Sequence, residues 1–183
     1  MASSPGSSST ADLVRQALQD YESILIGYTA NLLGGDVERA RDVVQDAFLK
    51  LCQADPDRVR HGLRSWLFTV CRNRAFDVLR KDQRLDFADW QDLDRQDESS
   101  LHPADQADST HLSELAWALV EQLSPNQQEV IRLKFQHDLP YQEIAEITGL
   151  SVGNVGFLLH TALKKLRQRL QRQLKPAPPL PAP

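Results

Sequence analysis

The sequence predicts an all-α fold in which two small helical modules are joined by an acidic, flexible linker. Apolar residues recur at spacings of three and four through most of the chain, which is the period of amphipathic helices. The alternating pattern of half-buried strands is nearly absent. From Arg84 to Thr110 the helical pattern gives way to a stretch rich in Asp, Gln and Ser, which is typical of a linker.

The N-terminal module is expected at residues 12–83, after a disordered, Ser-rich N-terminus at residues 1–11. It should contain three or four helices, of which three are clear, over residues 12–33, 37–53 and 63–82. Gly34 and Gly35 end the first of these, and Asp36 is a suitable N-cap for the second. The expected buried stripe of the second helix is Ala40, Val43, Val44, Ala47, Phe48 and Leu51. Pro56 breaks that helix, so residues 54–62 are predicted to form a loop.

The C-terminal module is expected at residues 112–175, between an acidic linker at 84–111 and a Pro-rich tail at 176–183. Its helices are predicted at about 112–123, from Pro125 through Phe135 with no fixed end, and at about 140–148 and 152–172. Ala145, Gly149 and Val155 are spaced so that the last two helices can cross closely, with Ser151 as the N-cap of the second. This spacing predicts a helix-turn-helix whose second helix enters the major groove of DNA. A plain helical hairpin within a bundle is the alternative.

The charge distribution is more informative than the net charge of −4, which by itself argues against a nucleic-acid binder. Residues 82–111 carry 9 acidic and 2 basic residues, a net charge of −7. Residues 12–81 have a net charge of +1 and residues 112–175 of +2, with basic clusters near the end of each module. Local positive charge, which is what binds phosphate, is therefore present in both modules.

Catalytic and metal-binding patterns were not found in the sequence. Cys52 and Cys71 lack the spacing of a zinc site and are expected to be small buried side chains. The chain has no Gly-rich phosphate loop, HExxH or GxSxG motif. No apolar run approaches the roughly 18 residues of a membrane span. We therefore expect a cytoplasmic protein that is not an enzyme, with no cofactor and no membrane insertion.

Several segments resemble the extracytoplasmic-function (ECF) sigma factors of bacterial RNA polymerase. The stretches Leu123–Val155 and Leu159–Arg167 are similar to the fourth conserved region of that family. The segment "ARDVVQDAFLKL" (Ala40–Leu51) resembles its region 2 helix that docks on the polymerase clamp, and "LRSWLFTVCRNRAFDVLRK" (Leu63–Lys81) resembles its promoter-melting helix. The resemblance implies that core polymerase and promoter DNA are partners, with an anti-sigma factor as a further candidate.

The resemblance also implies roles for individual residues. The predicted polymerase-binding residues are Asp42, Gln45, Asp46 and Lys50. The predicted −10 DNA-binding residues are Arg58, Arg60, His61, Trp66, Arg72, Asn73, Arg74, Asp77, Arg80 and Lys81. The predicted −35 DNA-binding residues are Tyr141, Ser151, Val152, Asn154, Gly156, Phe157, His160 and Lys164. Arginine can contact phosphate with two hydrogen bonds, and asparagine can bind base edges. The polar face of the second helix could instead be an ordinary solvated surface, and Trp66 either a core residue or a stacking platform.

Two departures from the family pattern leave alternatives open. The predicted loop at 54–62 has no aromatic residue, so the base that it would capture is not specified. Gly156, Phe157, Leu158 and Thr161 stand where the family usually has polar or basic residues. Phe157 and Leu158 could contact thymine methyl groups, or they could form an apolar patch for an anti-sigma domain.

Two other functional classes compete with the sigma-factor interpretation. A one-component regulator would bind duplex DNA tightly without polymerase and would not need Asp42–Lys50. A protein-interaction module would use Phe157 and Leu158 to bind a protein partner and no DNA. For a sigma factor, the acidic linker is expected to pass through the polymerase and to imitate nucleic acid there. The target promoters and the activating signal are not encoded in recognisable form.

Overall fold

The second helix of the N-terminal module follows its predicted amphipathic stripe. The computed structural model describes residues 6–82 and 109–173, and its first two long helices are α1 (Gly6–Leu32) and α2 (Val37–Gln53). Asp36 caps α2, because its side chain accepts a hydrogen bond from the backbone N–H of Arg39 at 3.1 Å. The buried stripe of α2 is the predicted one: Ala40, Val43, Val44, Ala47, Phe48 and Leu51.

The N-terminal end of α1 differs from the prediction. Helix α1 begins at Gly6, so the expectation of disorder over residues 1–11 is wrong for residues 6–11. Once a helix has formed, each added residue contributes one more backbone hydrogen bond, so a polar stretch can extend an amphipathic helix. Residues 1–5 of the predicted N-terminus lie outside the described residues.

The segment at 54–62 is helical where a loop was expected. It contains one turn of helix, α3 (Pro56–Val59), followed by a 3₁₀ turn at Arg60–Gly62. Asp55 caps α3 by accepting a hydrogen bond from the N–H of Asp57 at 3.1 Å, and Pro56 occupies the first turn. Proline ends one helix and is also well suited to begin the next, which the loop prediction overlooked. Helix α4 (Leu63–Lys81) follows directly.

The C-terminal module contains α5 (Ser109–Val120), α6 (Pro125–Phe135), α7 (Tyr141–Thr148) and α8 (Val152–Gln173). The predicted helix-turn-helix is formed by α7 and α8. Helix α5 begins and ends three residues earlier than predicted, so residues 109–111 are helical although they were assigned to the linker. Residues 83–108 and 174–183, which include the rest of the linker and the whole Pro-rich tail, lie outside the described residues. None of the described helices is long and apolar enough to cross a membrane.

The two modules are packed against each other. Within the N-terminal module α1, α2 and α4 contact one another, and within the C-terminal module α8 contacts α5, α6 and α7. Helix α4 also packs on α7, so the buried apolar residues of both modules form one continuous cluster. The sequence pattern predicted the modules but not this contact between them.

Candidate functional site: two predicted DNA-binding helices and the contact between modules

The exposed start of α8 carries most of the predicted −35 contacts. Gly149 ends α7 in the left-handed conformation (φ +73°), which favours glycine. Ser151 then caps α8, because its Oγ accepts a hydrogen bond from the N–H of Asn154 at 3.2 Å. This tight turn leaves one face of the two helices open to solvent. The exposed residues of that face are Tyr141, Ser151, Val152, Asn154, Phe157, His160 and Lys164.

Phe157 and Leu158 do not form a joint surface patch. The Phe157 side chain is 62% exposed, whereas Leu158 is 6% exposed and belongs to the core. Adjacent residues of a helix point about 100° apart, so one faces solvent and the other faces the core. The part of the expectation that placed Leu158 on an apolar surface is therefore wrong. Gly156, the residue before Phe157, is half-buried. A Cβ atom added to Gly156 would lie 3.8 Å from Cε2 of the Tyr141 ring.

The predicted polymerase-binding face of α2 is accessible. Asp42, Gln45 and Lys50 are exposed and Asp46 is half-buried. Asp46 forms an ion pair with Arg74 of α4 at 2.9 Å. Leu49, which was not among the predicted site residues, is 54% exposed on the same helix. Its position outside the buried stripe of the amphipathic helix could have been noticed in the sequence.

Helices α2 and α4 together line a groove of about 270 Å³. Asp42 and Asp46 lie on one side of it, and Arg74 and Lys81 lie on the other. Arg39 closes one end by pairing with Asp82. The groove thus places predicted polymerase-binding and predicted DNA-binding residues side by side, with opposite charges facing each other.

Most of the predicted −10 residues lie on exposed parts of α3, the 3₁₀ turn and α4. Those that are exposed are Arg58, Arg60, His61, Asn73, Arg80 and Lys81. Asp77 pairs with Arg80 at 3.1 Å, which fixes Asp77 within its own helix. Trp66 is half-buried and packs against the core, so both of its open interpretations have a structural basis.

Arg72 is the exception, because it is buried beneath the C-terminal module. Its Nε and Nη2 donate hydrogen bonds to Oε1 and Oε2 of Glu129 on α6, at 2.8 and 3.2 Å. The Tyr28 hydroxyl of α1 donates to the same Oε1 at 2.7 Å. The side chains of Arg72 and Glu129 are only 9% and 2% exposed. The guanidinium also lies 4.5 Å from the centre of the Phe76 ring.

The electrostatics of this cluster favour the charged form of Arg72. Burial alone would lower the pKa of Arg72, but the charge and hydrogen bonds of Glu129 outweigh it, and the pKa is raised. Burial and the Glu129 charge raise the pKa of Tyr28 well above its usual value. Arg72 is therefore a cation and Tyr28 a neutral donor. Glu129 could have been noticed in the sequence, because it precedes Leu133 by one helical turn and so lies on an apolar face.

His137, in the turn after α6, extends the same contact. Its ring centre lies 5.1 Å from that of Phe68 and 6.0 Å from that of Tyr28, both in the N-terminal module. The Arg64 guanidinium of α4 donates a hydrogen bond to the His137 carbonyl oxygen. Burial, then the charges of Arg64 and Arg132, lower the pKa of His137 to about 4. The ring is therefore neutral near pH 7.

Helix α7 approaches the predicted −10 surface at a second place. A cleft of about 310 Å³ is lined by Arg60 and His61 on one side and by Glu143 of α7 on another. Glu129 and Glu143 thus bring acidic groups of the C-terminal module to the basic surface of the N-terminal one.

The two cysteines differ in environment. Cys52 is exposed at the end of α2, contrary to the expectation that both thiols are buried. Cys71 is buried in α4, and burial raises its pKa to about 12, so it is an unreactive thiol at neutral pH. Among the described residues no group of His, Cys, Asp and Glu is arranged to hold a metal ion.

Comparison with known protein families identifies both modules. Residues 13–85 match the family described as Sigma-70 region 2, and residues 113–166 match the family described as Sigma-70, region 4. The two matches occur in the same chain, in that order, and between them include α2, α4, α6, α7 and most of α8.

Whole-chain relatives agree with the family matches. The RNA polymerase sigma factor YlaC of Bacillus subtilis is 28% identical over 166 residues, covering 90% of this chain and 93% of YlaC. The ECF RNA polymerase sigma factor RpoE of Cereibacter sphaeroides is 31% identical over 135 residues, covering 73% of this chain and 71% of that protein. The sigma factor RpoE of Bartonella quintana, solved with the anti-sigma factor NepR, superposes with a TM-score of 0.57 at 27% identity. The superposition covers 88% of this chain and 98% of that one. The chain therefore belongs to the ECF sigma factors of RNA polymerase, a family of transcription initiation factors.

Proposed function

We propose that this chain, an alternative sigma factor, binds core RNA polymerase through α2 and contacts two promoter elements through α4 and α8. The N-terminal module would hold the non-template strand of the −10 element, and the C-terminal module would bind the −35 element as duplex. In this role the chain is not itself an enzyme, and it acts in the cytoplasm, where the polymerase is.

The exposed face of α2 supports polymerase binding. Asp42, Gln45 and Lys50 present charge and hydrogen-bonding groups, and Leu49 supplies an apolar contact between them. A mixed surface of this kind suits a protein interface better than a purely solvated helix face. The Asp46–Arg74 ion pair orients this face relative to α4, so Asp46 has a positioning role in the proposal.

The exposed start of α8 supports duplex binding, and it is the observation that carries the proposal. Asn154 and His160 provide hydrogen-bonding groups, and Val152 and Phe157 provide apolar contacts for thymine methyl groups. Phosphate contacts would come from Lys164 and Arg167, which are exposed further along the helix. Lys165 and Arg169 contribute less, because they donate hydrogen bonds to Gln127 and Gln122 within the module.

The test is run-off transcription with core polymerase, the whole chain and a library of promoters altered separately at the two elements. Initiation should depend on this protein and on both elements. The double variant Asn154→Ala and His160→Ala should lose dependence on the −35 sequence while retaining dependence on the −10 sequence. Tight duplex binding without polymerase, together with no initiation, would instead support a one-component regulator.

We extend the proposal to control by an anti-sigma protein, because the similar Bartonella quintana sigma factor is solved with one. Such a partner should bind this chain directly and raise the concentration of this chain that run-off transcription requires. If Phe157 contacts the partner and not DNA, Phe157→Ala should relieve this inhibition and leave −35 binding intact.

A further inference from the structure

The contact between the modules occupies the surface that we assign to the −10 strand. Glu129 holds Arg72 with both carboxylate oxygens, and the His137 carbonyl accepts a hydrogen bond from Arg64. Glu143 lines the cleft that also contains Arg60. Carboxylate and carbonyl oxygens are the same kind of acceptor that DNA phosphates offer to arginine. The C-terminal module therefore supplies hydrogen-bond acceptors to the arginines of α4, as the phosphates of a nucleic-acid strand would.

The docked modules cannot reach both promoter elements at once, because the distance between the elements exceeds the width of the docked protein. Elements centred near −10 and −35 are roughly 25 base pairs apart, or about 85 Å at about 3.4 Å per base pair. A packed globule of about 140 residues is only about 40 Å across. The chain permits separation, since the 26 residues at 83–108 can span at most about 90 Å by covalent geometry. The modules must therefore separate when both elements are bound.

We propose that the free protein adopts a closed form and that the buried cluster of Tyr28, Arg72 and Glu129 is its latch, because closure is stable only while each buried ion has its partner. In the closed form the modules are docked and Arg72 is withheld from the −10 strand. In the open form the modules are apart, and promoter DNA held by the polymerase complex captures that form. The part of this proposal that concerns promoter binding rests on the proposed function.

The physical basis of the latch is that its ions are dehydrated only in the closed form. A buried ion pair contributes little net stability when complete, but loss of one partner leaves the other as an uncompensated buried charge. Opening returns both ions to water. A complete pair therefore permits reversible closure, whereas an incomplete pair favours the open form.

Double electron–electron resonance on the full chain measures closure directly. One nitroxide is placed on the exposed Cys52 and a second on Gln168→Cys, an exposed position of α8, while the buried Cys71 remains unlabelled. The labelled parent should give one dominant short distance. Glu129→Gln should raise the long-distance population roughly tenfold or more, because Arg72 loses its counter-charge. The matched control is Glu146→Gln, which removes an exposed charge from the same module and should leave the distances unchanged.

A rescue variant separates the latch from a folding defect. The triple variant Tyr28→Phe, Arg72→Met and Glu129→Met replaces the cluster with apolar groups of similar size and should restore the short distance. Circular dichroism should show unchanged helix content in Glu129→Gln. A Glu129→Gln protein that keeps its helices and its short distance would overturn the latch.

Transcription provides the second readout. Because closure competes with binding of the −10 strand, Glu129→Gln should lower the promoter concentration that gives half-maximal run-off transcription, by the factor by which the open population rises. An unchanged half-maximal concentration, with opened distances, would overturn the claim that closure withholds the protein from promoters. No transcription by the parent with any core polymerase would instead refute the proposed function, and the distances would still report on the latch.

Discussion

Helices α4 and α8 are the two that we predict to contact promoter DNA, and the structure presents them differently. The start of α8 is open, with Asn154, Phe157 and His160 exposed. Helix α4 has exposed residues at its C-terminal end, but its central Arg72 is buried against Glu129 of the other module. The duplex-binding surface is thus available in the closed form, whereas part of the strand-binding surface is not. Similar basic helices in one chain can therefore have different access to DNA.

The largest expected effect is on stability, and it should separate the buried arginine of α4 from an exposed one. Arg72→Ala leaves Glu129 buried without its counter-charge, so the free energy of unfolding should fall by about 3–5 kcal/mol. The loss cannot exceed the free energy of separating the modules, because separation returns Glu129 to water. Urea denaturation followed by circular dichroism measures this. Arg80→Ala, an exposed arginine of the same helix, should cost less than about 1 kcal/mol. Equal losses in the two variants would mean that burial of Arg72 has no energetic weight.

Within α8 the neighbours Phe157 and Leu158 should separate binding from folding. Leu158→Ala removes a core side chain and should cost about 2–5 kcal/mol of stability. Phe157→Ala should change stability by less than about 0.5 kcal/mol. It should weaken binding of the −35 duplex by about 1–2 kcal/mol if the ring is buried against DNA. Denaturation and fluorescence anisotropy measure the two effects. Unchanged duplex affinity in Phe157→Ala would remove the ring from the proposed DNA interface.

The face of α2 should be insensitive to closure, unlike α4. Asp42→Asn is expected to weaken binding of core polymerase by up to about 1 kcal/mol, as for a partly solvated interface charge, and to leave stability unchanged. Glu22→Gln on α1 is the matched control, because Glu22 is exposed and outside the predicted interface. Surface plasmon resonance with immobilised core polymerase gives both affinities, and equal behaviour of the two variants would argue against docking through Asp42.

The smallest expected effect is a pH dependence of docking. The closed form lowers the pKa of His137 to about 4, whereas the ring returns towards about 6.5 when the modules separate. The open form therefore binds more protons, and closure should weaken as pH falls from about 6.5 towards 4. The titratable groups that face the ring are Arg64, Arg132 and Tyr28.

His137→Phe tests this directly, because it keeps the ring contacts with Phe68 and cannot be protonated. The spin-label distances of the parent should lengthen between pH 7 and pH 5, and those of His137→Phe should lengthen less. The same shift in both proteins would assign the pH dependence to other groups.

The sequence predicted the local structure well because local structure has a local cause. The stripe of α2, its Asp36 cap and the turn at Gly149 and Ser151 all depend on residues within a few positions of each other. The positions at which helices begin were less predictable. Helix α1 begins at Gly6, and Pro56 begins a helix where a break was expected.

The contact between modules could not be predicted, because it depends on residues far apart in the chain. Tyr28 and Glu129 are 101 positions apart, and Arg72 and Glu129 are 57 apart. The family resemblance identified Arg72 as a candidate DNA contact and contains no information on what covers it. The roles of the predicted polymerase and DNA contacts stay predictions for the same reason, since they concern surfaces that a partner would complete.

The most direct test follows one labelled sample from the free protein to the initiating complex. Fluorescence energy transfer between dyes at Cys52 and Gln168→Cys is recorded while core polymerase and then promoter DNA are added, and run-off transcript is measured in the same sample. We expect high transfer in the free protein, low transfer once promoter DNA is bound, and initiation that requires the chain. Initiation with transfer unchanged from the free protein would contradict this expectation, because both promoter elements would then be served by the closed form.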